Sequence, residues 1–113
     1  MGVDNIVPIN SRMGLPRTLT PDELVVLIRE LLDQGGRIVV REHAYVRMEQ
    51  RDISMRQVRH VLLRGEVIRG PTWSTYQNWT FTMQADTAGQ LVTVGAALDI
   101  DLMGQTVIVI TVY

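Results

Sequence analysis

The chain has 113 residues, 46% of them hydrophobic and 20% charged, which is the composition of an ordinary globular domain and not of a disordered or collagen-like segment. It has no cysteine, so disulfides, thiolate nucleophiles and cysteine-based zinc or iron–sulfur centres are excluded, and with two histidines neither a structural metal nor a cofactor is expected. No run approaches the roughly 18 apolar residues of a membrane span and no secretory signal pattern opens the chain, so the expectation is a cytoplasmic protein without a membrane partner.

The formal charge is −1, yet it is unevenly spread. All eleven basic residues are arginines, and residues 37 to 69 carry eight of them against four acids. The first 36 residues sum to −2, and residues 70 to 113 hold Asp86, Asp99 and Asp101 with no basic residue. An arginine block in a near-neutral chain points to a phosphate-bearing partner, because the guanidinium fork matches phosphate oxygens. The plainer reading is a set of solvated helix faces paired with nearby acids.

Residues 1 to 18 contain Gly2, Pro8, Gly14 and Pro16 without a sustained period, and read as an irregular arm before a domain spanning 19 to 113. A helix starts at Thr20 as N-cap, with Pro21 in the first helical position and Glu23 completing a capping box. Leu24, Leu27, Ile28 and Leu31 recur at helical spacing until Gly35 and Gly36 stop it. Arg37 to Arg41 is short and β-branched, an extended entry or brief strand. A second helix follows over roughly Glu42 to Arg51. A third begins at Ser54, with a Ser54/Gln57 capping box and an apolar face of Met55, Val58, Val61 and Leu62, and ends at Gly65.

The rest alternates or is β-branched. A short strand from Glu66 to Arg69 is expected to break at Gly70–Pro71. Strands over Tyr76–Gln84, Gln90–Leu98 and Gln105–Tyr113 follow, with a turn at Ala85–Gly89 and a loop at Asp99–Gly104. Trp79 and Phe81 share one face by strand parity, expected to be the core, while Tyr76 falls out of phase with them. The predicted order is α-β-α-α-β-β-β-β, an α+β architecture with three helices on one face of an antiparallel sheet of about four strands.

The second helix holds the most suggestive constellation. His43, Arg47 and Arg51 are spaced four apart, which keeps them within roughly 80° of one another around the axis, beside the inward-facing Ala44 and Met48. Two guanidinium groups neutralise phosphate and developing charge, and a histidine exchanges a proton near neutral pH. The competing reading pairs the arginines with Glu42, Glu49 or Asp52 and leaves His43 to cap or pack. On the third helix Arg56, Arg59, His60 and Arg64 lie opposite the apolar stripe, either a solvated face or a second phosphate-contact surface. Trp73, near the Gly–Pro pair, has the chemistry to stack on a base. No phosphate-binding glycine loop, nucleophile elbow or metalloprotease helix is present.

The run from His43-Ala44 through Arg47-Met48 and Arg51 to Ile53-Ser54, then Val58, Val61-Leu62, Gly65-Glu66-Val67-Ile68 and the closing Ile110-Thr111-Val112-Tyr113, resembles a family of small prokaryotic domains of unknown function. That family is similar to the RelE-like toxins of type II toxin–antitoxin systems, including the BrnT branch. The resemblance implies helices packed on a curved antiparallel sheet, and metal-independent RNA cleavage with an antitoxin as protein partner. Carried across by position, it marks His43, Arg47, Arg51 and the terminal Tyr113 as site residues. The alternative from another class is a non-catalytic interaction domain (an immunity, antitoxin-partner or phage accessory protein) that binds through its arginine face.

Overall fold

The computed structural model describes residues 14–112. Its elements are α1 (Pro21–Asp33), β1 (Ile38–Val40), α2 (Glu42–Gln50), α3 (Met55–Arg64), β2 (Glu66–Trp73), β3 (Trp79–Thr87), β4 (Gln90–Ile100) and β5 (Thr106–Val112). The order is the predicted one. Both expected capping boxes form: Thr20 Oγ1 accepts from the Glu23 amide at 3.1 Å while Glu23 accepts from the Thr20 amide at 2.9 Å, and Ser54 and Gln57 repeat the exchange at the start of α3. The end of α1 is a Schellman turn, in which the Gly36 amide donates to Leu31 and the Gly35 amide to Leu32.

The five strands form one mixed sheet in the order β1-β5-β4-β3-β2. This corrects the expected antiparallel sheet of about four strands: β1 joins it as an edge strand and runs parallel to β5, with Ile38, Val39 and Val40 opposite Ile108, Val109 and Ile110. The physical reason is the connection. The chain leaves β1 and returns to β5 only after two helices and three strands, so no hairpin turn forces an antiparallel partner. A second correction concerns Gly70–Pro71, which does not end β2. Gly70 sits at φ +84, where a Cβ would lie 2.6 Å from the Thr80 carbonyl oxygen, and the register against β3 shifts there. The pair makes a bulge, and because β2 is the other edge of the sheet a proline leaves no ladder bond unmade. The third predicted strand begins at Trp79, leaving Tyr76 in the β2–β3 turn, and β4 continues through Asp99 and Ile100.

One face of the sheet takes the helices. Trp79, Phe81, Met83, Val92, Val94, Ala96, Leu98, Ile108 and Ile110 join Leu24, Ile28, Val58, Val61 and Leu62 in one buried cluster. Complete burial of such a side chain contributes roughly 1.5–3 kcal/mol, so this face specifies the fold. The alternating residues, among them Thr80, Thr82, Thr93, Ala97, Val107 and Val109, make the other face. α3 packs on β3, β4 and α1, whereas α2 rests on β5. Gly65 allows the last turn of α3 to abut β3, since a Cβ there would lie 2.6 Å from the Gln84 carbonyl oxygen.

Before α1 the chain crosses the end of the sheet. Leu15 is buried in the core, Trp79 Nε1 donates to the Pro16 carbonyl at 2.9 Å, and Thr106 Oγ1 donates to the Gly14 carbonyl at 3.1 Å. No helix among the described residues is long and apolar enough to cross a membrane.

Candidate functional site

The site is built from the short helix α2. Ala44 and Met48, one turn apart, are its buried residues, and they fix which side faces β5. His43 and Arg47, also one turn apart, then fall along the margin of that contact and are exposed, as is Arg51 at the C-cap. The helix ends in another Schellman turn: the Ile53 amide donates to Met48 at 2.8 Å and the Asp52 amide to Glu49 at 3.2 Å, with Asp52 itself at φ 56. Aspartate tolerates this left-handed position better than most residues. Ile53 packs against the core, and Ser54 immediately caps α3. The string that runs from His43 to Ser54 therefore divides by role. Ala44, Met48, Ile53 and Ser54 set the packing and the turn, while His43, Arg47 and Arg51 project outward.

His43 is the best-held of the three. Its Nε2 lies 3.0 Å from the Thr111 carbonyl oxygen. A carbonyl oxygen only accepts, so Nε2 carries the hydrogen, and in the neutral ring Nδ1 keeps the lone pair. The acceptor is available because of a bulge. Ala96 faces Ile110 and Gly95 faces Val112, which makes Thr111 the extra residue of β5 with no partner across the ladder. Thr111 thus sits where the ladder is irregular, and its carbonyl accepts from the imidazole. Arg47 makes no hydrogen bond or ion pair among the described residues, and its position in the last turn of α2 suits the negative end of the helix dipole. Tyr113, two residues beyond Thr111, lies outside the described residues.

The other predicted cations are set apart from this stripe. Arg56, Arg59 and Arg64 are exposed on α3 together with His60, and the helix contains no acidic residue. Trp73 ends β2, half exposed, with its ring 5.1 Å from that of Trp79 and tilted 68° to it.

The structure also assembles a feature that the sequence reading did not single out. Arg37, Val39 and Arg41 share one side of the β1 segment and, with Val107 and Val109 of β5, line a groove of about 350 Å³. The alternation of Arg37-x-Val39-x-Arg41 was the available signal. Arg37 pairs with Asp101 at 3.0 Å. Asp101 organises the β4–β5 turn, accepting from the amides of Gln105 and Met103 at 2.9 Å. The Gln105 amide first, then the Arg37 and Met103 hydrogen bonds, hold its carboxyl below the ordinary value against an opposing desolvation. Leu102 and Met103 at the tip of that turn are fully or largely exposed. On this segment the groove ends at Arg41, two residues before His43, and neither His43 nor Arg47 lines it.

The sequence model described as "Domain of unknown function (DUF4258)" matches residues 40–113, a stretch that takes in α2, α3 and strands β2 to β5 and leaves α1 outside. No curated protein and no solved structure matches the chain.

Proposed function

The chain belongs to the DUF4258 family, and we propose that it acts on RNA as a RelE-like, metal-independent endoribonuclease of the toxin type, with its centre where α2 meets β5. The observation that carries this reading is the hydrogen bond from His43 Nε2 to the Thr111 carbonyl. A general base works when a third group fixes its tautomer and direction, and this bond does both, leaving Nδ1 to take a proton. The ribose 2′-oxygen attacks the adjacent phosphorus as its proton passes to Nδ1. The bond to the 5′-oxygen breaks, giving a 2′,3′-cyclic phosphate and a 5′-hydroxyl whose proton comes from water. Arg47 and Arg51, one and two turns along, hold the phosphate and offset the charge on its oxygens. Tyr113 positions the substrate. Arg56, Arg59 and Arg64 contact more distant phosphates and Trp73 stacks on a base, while an antitoxin would act by covering the arginine faces.

A second reading takes its support from a different feature: the three α2 groups stand on an exposed helix face. A convex cationic surface suits an interaction domain that holds RNA or an acidic protein without cutting it.

One comparison separates the two. Expressed in cells, the wild-type chain is expected to arrest growth and fragment RNA, and the Arg47→Ala chain to do neither. RNA bound without fragments, with each arginine removed from a phosphate contact lowering the single-strand salt slope by about 0.7, would establish the interaction domain instead.

A further inference from the structure

A cavity of about 710 Å³ lies away from α2, at the end of the sheet where residues 15 to 17 pass the β2–β3 turn. Its size falls within the roughly 300–1,000 Å³ of small-molecule sites. Its lining is unusual for a surface hollow. Trp73 is 48% exposed and Tyr76 84% exposed, and between them and Ile100 stand one cation, Arg17, one amide, Gln77, and one carboxylate, Asp99. Large aromatic rings left in water are the informative exception to burial, since each forgoes the stabilisation that packing would give.

These rings are presented by a braced turn. The Ser74 amide donates to the Asn78 carbonyl at 2.9 Å, the Gln77 amide to Ser74 at 3.0 Å, and the Tyr76 amide to Ser74 Oγ at 3.1 Å. Ser74 Oγ donates in turn to the buried Asn78 side chain, whose Nδ2 donates to Asp99 Oδ2 at 3.0 Å. Asp99 Oδ1 already accepts from the Ile100 amide at 2.8 Å, so both oxygens of the lone anion are engaged by donors. Trp73 is held from behind by Trp79, which is itself tied to the Pro16 carbonyl. The Trp73 ring, fixed in this way, loses little freedom when a flat ligand arrives.

From the juxtaposition of two exposed aromatic rings, an arginine and hydrogen-bonding groups in one hollow, we infer that this cavity binds a nucleotide unit. The base stacks on Tyr76 and Trp73, and Arg17 takes the phosphate. The unit is either a free nucleotide or one residue of an RNA strand; the chemistry recognised is the same. This binding does not depend on cleavage at α2.

Trp73 lines this cavity and Trp79, the chain's other tryptophan, packs against it from the core, so intrinsic fluorescence reads the site. Titration of the full chain with AMP is expected to give saturable quenching, with adenosine about tenfold weaker for want of the phosphate that Arg17 takes. Tyr76→Ala weakens AMP by about tenfold with its melting temperature unchanged, and Tyr76→Phe restores binding. Arg17→Ala removes the difference between AMP and adenosine. A 2′-O-methylated RNA hexamer, which cannot be cleaved by 2′-oxygen attack, identifies a strand if it binds more tightly than AMP and a free nucleotide if it does not. Absence of saturable quenching by both AMP and the hexamer, or quenching indifferent to Tyr76→Ala, overturns the inference. Quenching that persists in an Arg47→Ala chain inactive on RNA keeps the two sites separate.

Discussion

α2 and α3 make an instructive pair. Each is about ten residues long, each turns an apolar side inward and cations outward, and only Asp52–Ser54 and the C-cap Arg51 separate them. Their anchoring differs. α3 opens with a capping box and buries Val58, Val61 and Leu62 against β3, β4 and α1. α2 opens at Arg41 with no side-chain cap, buries Ala44 and Met48, and rests on β5. A helix of nine residues is too short to hold itself together, so α2 depends on what ties it down: the turn at Asp52, two inward residues and the hydrogen bond from His43. The same outward charge therefore has different meanings. On α3 the arginines are free of the fold, whereas on α2 the exposed His43 is also an anchor.

The comparison breaks first in the core. Leu62→Ala is expected to destabilise the protein by about 4 kcal/mol, because Leu62 is completely buried under three elements, and Met48→Ala by about 2 kcal/mol, since a flexible side chain at the edge of the core leaves a hollow that closes more easily. Urea unfolding of both variants measures the difference. Equal losses would mean that α2 is as firmly seated as α3.

Much of the fold is legible in the amino-acid sequence itself. Thr20–Pro21–Glu23 and Ser54–Gln57 are local signals, and both helices start where those residues predict. The parity of Trp79 and Phe81 likewise put both in the core. What escaped was long-range. The parallel pairing of β1 with β5 joins residues 70 apart, Ile38 with Ile108, and leaves no mark on either three-residue neighbourhood. The bulge at Thr111 is a property of two strands in register, so the bond that orients His43 could not be read from the spacing of His43, Arg47 and Arg51. Gly70–Pro71 misled for a related reason: the pair breaks a central strand, and only the sheet order reveals that β2 is an edge.

A finer test sets one outward residue of each helix against the other. His43→Ala removes the donor to the Thr111 carbonyl and is expected to cost about 1 kcal/mol, while Arg59→Ala, on the solvent side of α3, stays within about 0.5 kcal/mol of the wild type. His43→Gln, which retains a donor, should recover most of the stability and none of the RNA cleavage. That split distinguishes an anchor from a base, because a residue that only anchored would regain both together. Chemical denaturation and RNA fragmentation measured on the same preparations decide it.

The smallest effect is expected at the β4–β5 turn, at the end of β5 away from the α2 contact, and it has a sign that pH exposes. The Asp101 carboxyl is held below its ordinary value of 3.8, chiefly by the Gln105 amide and then by Arg37 and Met103. A carboxyl whose value falls on folding contributes stability while it is ionised in both states, and loses that contribution as pH drops from the ordinary carboxylate range through its lowered folded value. Asp101→Asn should therefore be less stable than the wild type at pH 7, with the gap closing progressively below pH ~4 as the wild-type carboxyl protonates. Arg37→Ala should show a smaller gap with the same pH dependence, because the turn amides still hold the carboxylate when the guanidinium is gone. If the Arg37→Ala gap were the larger one, the ion pair and not the turn would be what fixes the wall of the β1 groove, and that wall would loosen with salt.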